Sequence, residues 1–447
     1  MSDTTPTQNP IDYLFSLEHF GVKLGLDTTR ILLAALGHPD RNFHSVLIAG
    51  TNGKGSVAAM VERGLRAAGY RTGLFTSPHL VNVSERFALD GCSIDAATLT
   101  VAASRIRETI ETLQRNGTLK YPPTFFEATT VLALSLFERH SVDVAVLEVG
   151  MGGRFDATNV VTPVAVAIPS IDLDHQSYLG ATLAQIAFEK AGVIKPNSVV
   201  VTGESKPEPR NVLRAAAAAH HARLVAADTD VRIQWWAEEG TTFIDKIETP
   251  RRRYGPMTLS LRGRHQLGNA AVAVRLLEEL PTVGIDVPAD AIVSALSDTR
   301  WPGRLELLTV EPNGRVLLDP AHNVAAAAAL KEFVMAWHPA GLPFVFSALR
   351  DKDVPGIFRA LDTAVTRIVC TTVDSPRAHP LEVLVKAARE TRPDLKVNGV
   401  AKPSDALEVA WREGPLVVAA GSVFLVGELI RTLTPGASDE TSSPAPM

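Results

Sequence analysis

Cysteine is scarce in this chain: 447 residues contain only Cys92 and Cys370. Neither a disulfide framework nor a zinc site can be built from such a pair, so reduced thiols in a cytoplasmic compartment are the expectation. No apolar run reaches the roughly 20 residues of a membrane span. Residues 1–10 are polar and lack the basic-then-apolar order of a signal peptide. Dense charge of one sign is also missing. The net charge is −5, which excludes a global attraction to nucleic acid or to an acidic membrane surface. The one compact basic run, Arg251-Arg252-Arg253, reads as a solvated turn. The rest is ordinary for a globular enzyme, with 46% hydrophobic and 21% charged residues. The length suits two or three domains. Residues 434–447, rich in Pro, Ser and Ala, read as a disordered tail.

The most informative stretch is Gly50-Thr51-Asn52-Gly53-Lys54-Gly55-Ser56. It follows a short apolar run, Val46-Leu47-Ile48, and precedes a helical pattern. A strand, a glycine-rich turn carrying Lys and Ser, then a helix is the layout of a phosphate-binding loop. The glycines let backbone N–H groups face an anion. Lys54 can meet terminal phosphates and Ser56 a magnesium ion. The strict G-x-x-x-x-G-K-[ST] pattern is not met, because Ile48 stands at its first glycine and Gly55 at its hydroxyl position.

Further strands are expected at 72–76, 142–149 and 164–171, each ending in polar residues. Such carboxyl edges are where open α/β sheets bind ligands. The first leads into Ser77-Pro78-His79, the second ends in Glu148 and a glycine-rich loop (150–159), and the third ends in Asp172-Leu173-Asp174-His175. Glu148 suits either a magnesium ion, which prefers oxygen ligands, or a structural pair with Arg154. His175 reads as a metal ligand or as a hydrogen-bonded histidine, Phe126 as a stacking ring or as core, and Lys190 as a helix-end charge. Residues 231–261 read as a β meander. Helix-breaking Thr299-Arg300-Trp301-Pro302-Gly303-Arg304 marks a domain boundary, beyond which a fresh βα alternation begins. That second unit lacks a dinucleotide fingerprint. Its distinctive group is Asp319-Pro320-Ala321-His322-Asn323 at a strand end.

Taken in order, these segments resemble the folylpolyglutamate synthase/dihydrofolate synthase family of the Mur ligase superfamily. The motifs carrying the resemblance lie at 50–56, 76–80, 85–86, 126–127, 147–159, 173–175, 189–192, 304, 319–323 and 421–422. The resemblance implies an α/β architecture: a P-loop ATPase domain with a mostly parallel sheet (1–300) plus a smaller C-terminal Rossmann-like domain (301–433). It implies an ATP-dependent ligase that joins L-glutamate to dihydropteroate or to folates, as a monomer acting on small molecules. By similarity, residues 50–56 hold the ATP phosphates, with Ser56, Ser77 and Glu148 at a first magnesium. His175 and a carbamylated Lys190 stand at a second. Asn269, Arg304, Asp319 and His322 complete the nucleotide site. Thr124, Phe126, Asp156 and Ala157 line the pterin site, Arg86 lies with the substrate residues, and Ser422 belongs to the glutamate pocket. Pro320 replaces the family's usual glycine and removes a backbone N–H. The nearest rival is a Mur-type ligase acting on a cell-wall nucleotide precursor, but a loop starting at residue 50 leaves no room for its uridine-binding domain. A non-ligating nucleotide-binding protein leaves Glu148, His175, Lys190 and residues 319–323 without a joint purpose.

Overall fold

The computed structural model describes residues 9–21, 23 and 25–434. Residues 1–8 and, apart from Thr434, the tail expected to be disordered lie outside the described residues. The strands of the first domain are β1 (His44–Ile48), β2 (Thr72–Phe75), β3 (Phe87–Leu89), β4 (Cys92–Ser93), β5 (Val144–Glu148), β6 (Ala165–Ile168), β7 (Val199–Thr202) and β8 (Arg223–Ala226). They form one eight-stranded sheet in the order β4-β3-β2-β5-β1-β6-β7-β8. Pairing is parallel from β2 to β8 and antiparallel at the β3 and β4 edge. Alternate residues point to opposite faces. Val46 and Ile48 enter one apolar layer and Leu47 the other, and all three are fully buried. With helices on both faces the strands read as continuous apolar runs, which made β1, β5 and β6 legible.

The expected meander is a four-stranded antiparallel sheet of β9 (Arg232–Glu238), β10 (Thr241–Glu248), β11 (Arg253–Tyr254) and β12 (Met257–Leu259). It is tied to the helix His265–Glu279 by a buried charge cluster. Glu279 is 1% exposed and receives Arg275 at 2.7 Å, Arg251 at 2.7 Å and Arg223. The basic run is therefore not simply a solvated turn, since Arg251 anchors the hairpin to a buried carboxylate.

The second domain carries β13 (Glu306–Val310), β14 (Gly314–Leu318), β15 (Leu342–Phe346), β16 (Val365–Cys370), β17 (Lys396–Gly399) and β18 (Leu416–Ala420). Its sheet runs β13-β14-β18-β15-β16-β17, with only β13 antiparallel. Cys370, at the end of β16, is buried, and burial pushes its thiol up to about 12. Cys92 on the edge strand β4 is exposed. The two domains touch closely. Leu80 of the first packs into the second domain's core, where a side chain on Gly427 of the helix Val423–Leu433 would strike the Leu80 backbone.

Candidate active site

Beyond β1 the chain turns through Gly50 to Gly53, whose φ of +84° places it in the left-handed region just before the helix Lys54–Ala67. Few residues other than glycine adopt that conformation readily. Gly53 is also hemmed in by the Asn269 amide. Lys54 folds back over the loop, its Nζ donating to the carbonyls of Gly50 at 3.1 Å and Thr51 at 3.0 Å. Lys190 Nζ donates to the same Gly50 carbonyl at 2.7 Å. Two buried ammonium groups thus share one acceptor. Burial lowers the pKa of both, and for Lys190 burial together with the Lys54 charge brings it to about 7. Lys190 is 4% exposed and is therefore not a helix-end surface charge. Ser56 Oγ accepts from Gln266 Nε2 at 3.2 Å, and Gln266 Oε1 accepts from Asn269 Nδ2 at 2.8 Å.

Glu148 ends β5 beside this loop. Its Oε2 accepts from the Ser77 backbone N–H at 3.1 Å. Among the described residues no cation stands within ion-pair distance of it; Arg154 instead pairs with Glu189 at 2.8 Å. The structural pair with Arg154 does not form, because the glycine-rich loop carries Arg154 away from β5 toward the helix Leu183–Ala191. Burial raises the Glu148 pKa, against the opposing charges of Lys54, Arg304 and Arg86. The loop bearing Ser77 is held by Glu85, whose carboxylate accepts from the N–H groups of Leu80, Val81 and Asn82. Arg86 Nε donates to His79 Nδ1 at 2.9 Å, and its guanidinium lies 5.0 Å from the centroid of the Phe125 ring.

Past β6, Asp174 joins the two domains. Its Oδ1 accepts from Lys352 Nζ at 2.7 Å, its Oδ2 accepts from Asn323 Nδ2 at 3.1 Å, and His322 Nε2 lies 3.6 Å away. Asn323 Nδ2 also reaches Asn52 Oδ1 at 2.9 Å, so the phosphate loop and the 319–323 loop are in direct contact. Burial opposes the Asp174 charge, but the His322 contact and the Lys352 ammonium outweigh it and hold the carboxyl far below the usual range. His175 lies beside Asp174 and Asp351. Burial, aided by Lys352 and Lys54, pushes it down to about 4, which leaves a neutral imidazole. Asp319 accepts from the N–H groups of Leu305 and Ala321, fixing the strand that follows Arg304. Pro320 still contributes its carbonyl, which accepts from Gly421 N–H at 2.9 Å and brings the Ser422 turn alongside. Ser422 itself is buried, its hydroxyl accepting from Phe424 N–H.

The four residues expected at the pterin site also converge. The helix Phe125–Arg139, capped by Thr124, packs against the turn Ala157–Val160. Asp156 caps that turn and accepts from Met151 N–H, and the Phe126 ring covers Gly150.

The pattern of the Mur ligase middle domain matches residues 48–277, and that of the Mur ligase glutamate ligase domain matches residues 303–423. The dihydrofolate synthase/folylpolyglutamate synthase of Bacillus subtilis is 33% identical over 96% of this chain and 99% of its own length. This chain belongs to the folylpolyglutamate synthase/dihydrofolate synthase family. A Haloferax volcanii relative, named as a probable bifunctional folylpolyglutamate synthase/dihydropteroate synthase, is 35% identical over 95% of this chain, which spans 50% of that protein. Among solved structures, Mycobacterium tuberculosis folylpolyglutamate synthase complexed with ADP and AMPPCP superposes with a TM-score of 0.86 at 35% identity, covering 95% of this chain and 98% of that one. A bifunctional folylpolyglutamate synthase/dihydrofolate synthase with Mn, AMPPNP and L-glutamate bound gives 0.81 at 28% identity, covering 96% and 98%.

Several residues at this family site were not singled out by sequence. Asp174 lies in the Asp172-to-His175 segment without a role read for it, and Gln266 lies three residues before Asn269. Lys352 belongs to Asp351-Lys352-Asp353 beyond β15, a charged triplet at a strand's carboxyl end that was its only sequence signal.

Proposed function

We propose that this chain is an ATP-dependent ligase that adds L-glutamate to dihydropteroate, to reduced folates and their polyglutamates, or to both. The observation that carries the reading is the contact between the phosphate loop and the 319–323 loop, through Asn52, Asn323 and Asp174. It supports a reading in which the two domains' polar edges face one cleft. We take the domains to be residues 1–300 and 301–433 and the enzyme to be cytoplasmic; that both walls of the cleft come from one chain supports a monomer. Among the described residues no helix is long and apolar enough to cross a membrane.

In this reading a carboxylate oxygen of the pteroyl acid attacks the γ-phosphorus of ATP. The bond to the β,γ-bridging oxygen breaks and ADP leaves. The glutamate amine then attacks the acyl carbon, phosphate departs, and the amine loses a proton. Lys54, released from the Gly50 and Thr51 carbonyls, meets the charge on the transferring phosphoryl group. Residues 50–56 bind the phosphates, and Asn269, Arg304, Asp319 and His322 orient the nucleotide. Thr124, Phe126, Asp156 and Ala157 seat the pterin, with Arg86 beside them. Ser422 belongs to the glutamate pocket. Closure of the domains keeps water from the acyl phosphate.

The donor set fits a hard divalent cation. Glu148 is a buried carboxylate with no ion-pair partner among the described residues, adjoining Ser77. No cluster of three His, Cys, Asp or Glu side chains suited to a metal occurs among them. Magnesium keeps waters and takes substrate phosphates into its shell rather than needing such a cage. Ser56, Ser77 and Glu148 would hold a first ion; neutral His175 and Lys190 would hold a second. When bound, the ions neutralise charge on the phosphoryl oxygens. Carbamylation of Lys190 fits the same picture. A neutral amine adds to carbon dioxide and releases a proton, and the product replaces one of two crowded cations with an anion.

The test is ADP release by purified protein with Mg-ATP and L-glutamate, offered dihydropteroate and a tetrahydrofolate separately, with mass spectrometry of the products. Turnover with both identifies a bifunctional synthase, and turnover with one fixes the specificity. Absence of glutamate-dependent turnover with either refutes the assignment.

A further inference from the structure

The strict phosphate-loop pattern has Ser or Thr directly after the lysine, where this chain has Gly55. The structure supplies a steric reason. A Cβ on Gly55 would lie 2.9 Å from both Cζ2 and Nε1 of Trp301, well inside the roughly 3.5–4.0 Å at which non-bonded carbons rest. Trp301 belongs to the segment joining the domains. It is partly buried and packs on the apolar layer formed with the loop's helix. Three residues on, Arg304 acts electrostatically on Lys54 and Glu148, and Leu305 is bonded to Asp319 of the second domain. On the loop's other flank, Asn269 abuts Gly53 and Gln266 donates to Ser56. The first turn of the loop helix is therefore gripped by an indole and by two amides.

We propose that Trp301 is a positioning residue for nucleotide binding: its indole forms the wall that sets the first turn after Lys54, and so the placement of Lys54 and Ser56, and it ties that placement to the second domain. The ring occupies the space a residue-55 side chain would need, so the loop's hydroxyl is carried one residue later, on Ser56, where Gln266 steadies it. This inference rests on the ATP-dependent reading above.

The test measures ATP affinity by calorimetry, with steady-state kinetics alongside, for the wild type, Trp301→Phe, Trp301→Ala, Gly55→Ala and Gly55→Ala combined with each Trp301 change. Trp301→Ala is expected to raise Kd and KM for ATP about tenfold and to lower kcat with them, because Lys54 meets the transferring phosphoryl group, while the KM for glutamate stays within about twofold and Trp301→Phe recovers most of the loss. Gly55→Ala is expected to weaken ATP binding strongly beside the indole and less once the indole is removed. Mg-ATP is expected to change the intrinsic fluorescence of the wild type more than that of Trp301→Phe. Wild-type ATP affinity in Trp301→Ala, or a Gly55→Ala effect that does not depend on residue 301, overturns the proposal. Should Trp301→Ala not fold, the Gly55→Ala comparison in the Phe background reads the same contact. A wild type that binds no ATP overturns the functional reading instead.

Discussion

Glu148 and Lys190 carry opposite charges, and burial works against both. A carboxylate whose pKa is raised in the folded state destabilises that state at neutral pH. Glu148→Gln is therefore expected to hold or raise the melting temperature of the nucleotide-free protein. The same change is expected to lower turnover about 100-fold or more, the upper end of what even an outer-shell metal contact supplies. Melting and activity measured on one sample check both halves, and a parallel fall in the two refutes the role given to Glu148. In the proposed carbamylation Lys190, with burial lowering its pKa to about 7, reacts as the neutral amine. At fixed dissolved carbon dioxide, reactivation of carbon-dioxide-stripped enzyme should accelerate about tenfold per pH unit below 7 and level off above it. Carbon-13 bicarbonate should give a carbamate resonance that Lys190→Arg lacks. Sequence reasoning alone took Lys190 for a helix-end charge. Its Gly50 partner is 140 positions away, and no local pattern encodes that contact.

The antiparallel hairpins, with only two residues in β11 and three in β12, are tied to the helix His265–Glu279 by Glu279, which pairs with Arg251, and by Glu278, which accepts from Thr249 and Tyr254. Removing one partner of a buried ion pair leaves the other's charge uncompensated, at about 3–5 kcal/mol. Glu279→Ala is expected to lower the urea midpoint accordingly, since Arg275 is 5% exposed by side chain. An unchanged midpoint would show that Glu278 and Asp230 satisfy Arg275 without Glu279. Elements whose pattern repeats over several residues were legible: the helices Val324–Trp337 and Val423–Leu433 belong to the βα alternation expected in the second unit. β3 and β4 escaped notice, having three and two residues respectively, too few for a period to show. β8 escaped too, because at the sheet's edge it begins exposed and is only partly buried, without the continuous apolar run of a central strand.

Side chains of the two domains interlock. Leu80 enters the second domain's core, Gly427 admits its backbone, and Lys352 reaches Asp174 across 178 positions of sequence. Gly427→Val is expected to pry the helix Val423–Leu433 off Leu80. Small-angle scattering should then show a larger radius of gyration, and kcat should fall more than ATP affinity, because the phosphate loop stays intact. A wild-type scattering profile with lowered kcat would place the effect elsewhere. The two-domain plan was readable from the order of βα units. The contacts that fix the domains' mutual orientation were not, because each joins residues that only the folded chain brings together.

The contrast between the two thiols has a practical consequence. Cys370 is sealed, with its thiol held near 12, while Cys92 stands open at the rim of the first domain. A maleimide dye therefore labels the unmutated protein at one place. A second cysteine engineered on the outer surface of the other domain makes a donor–acceptor pair, so the spacing of the two domains during turnover can be followed one molecule at a time without first stripping the chain of its native thiols.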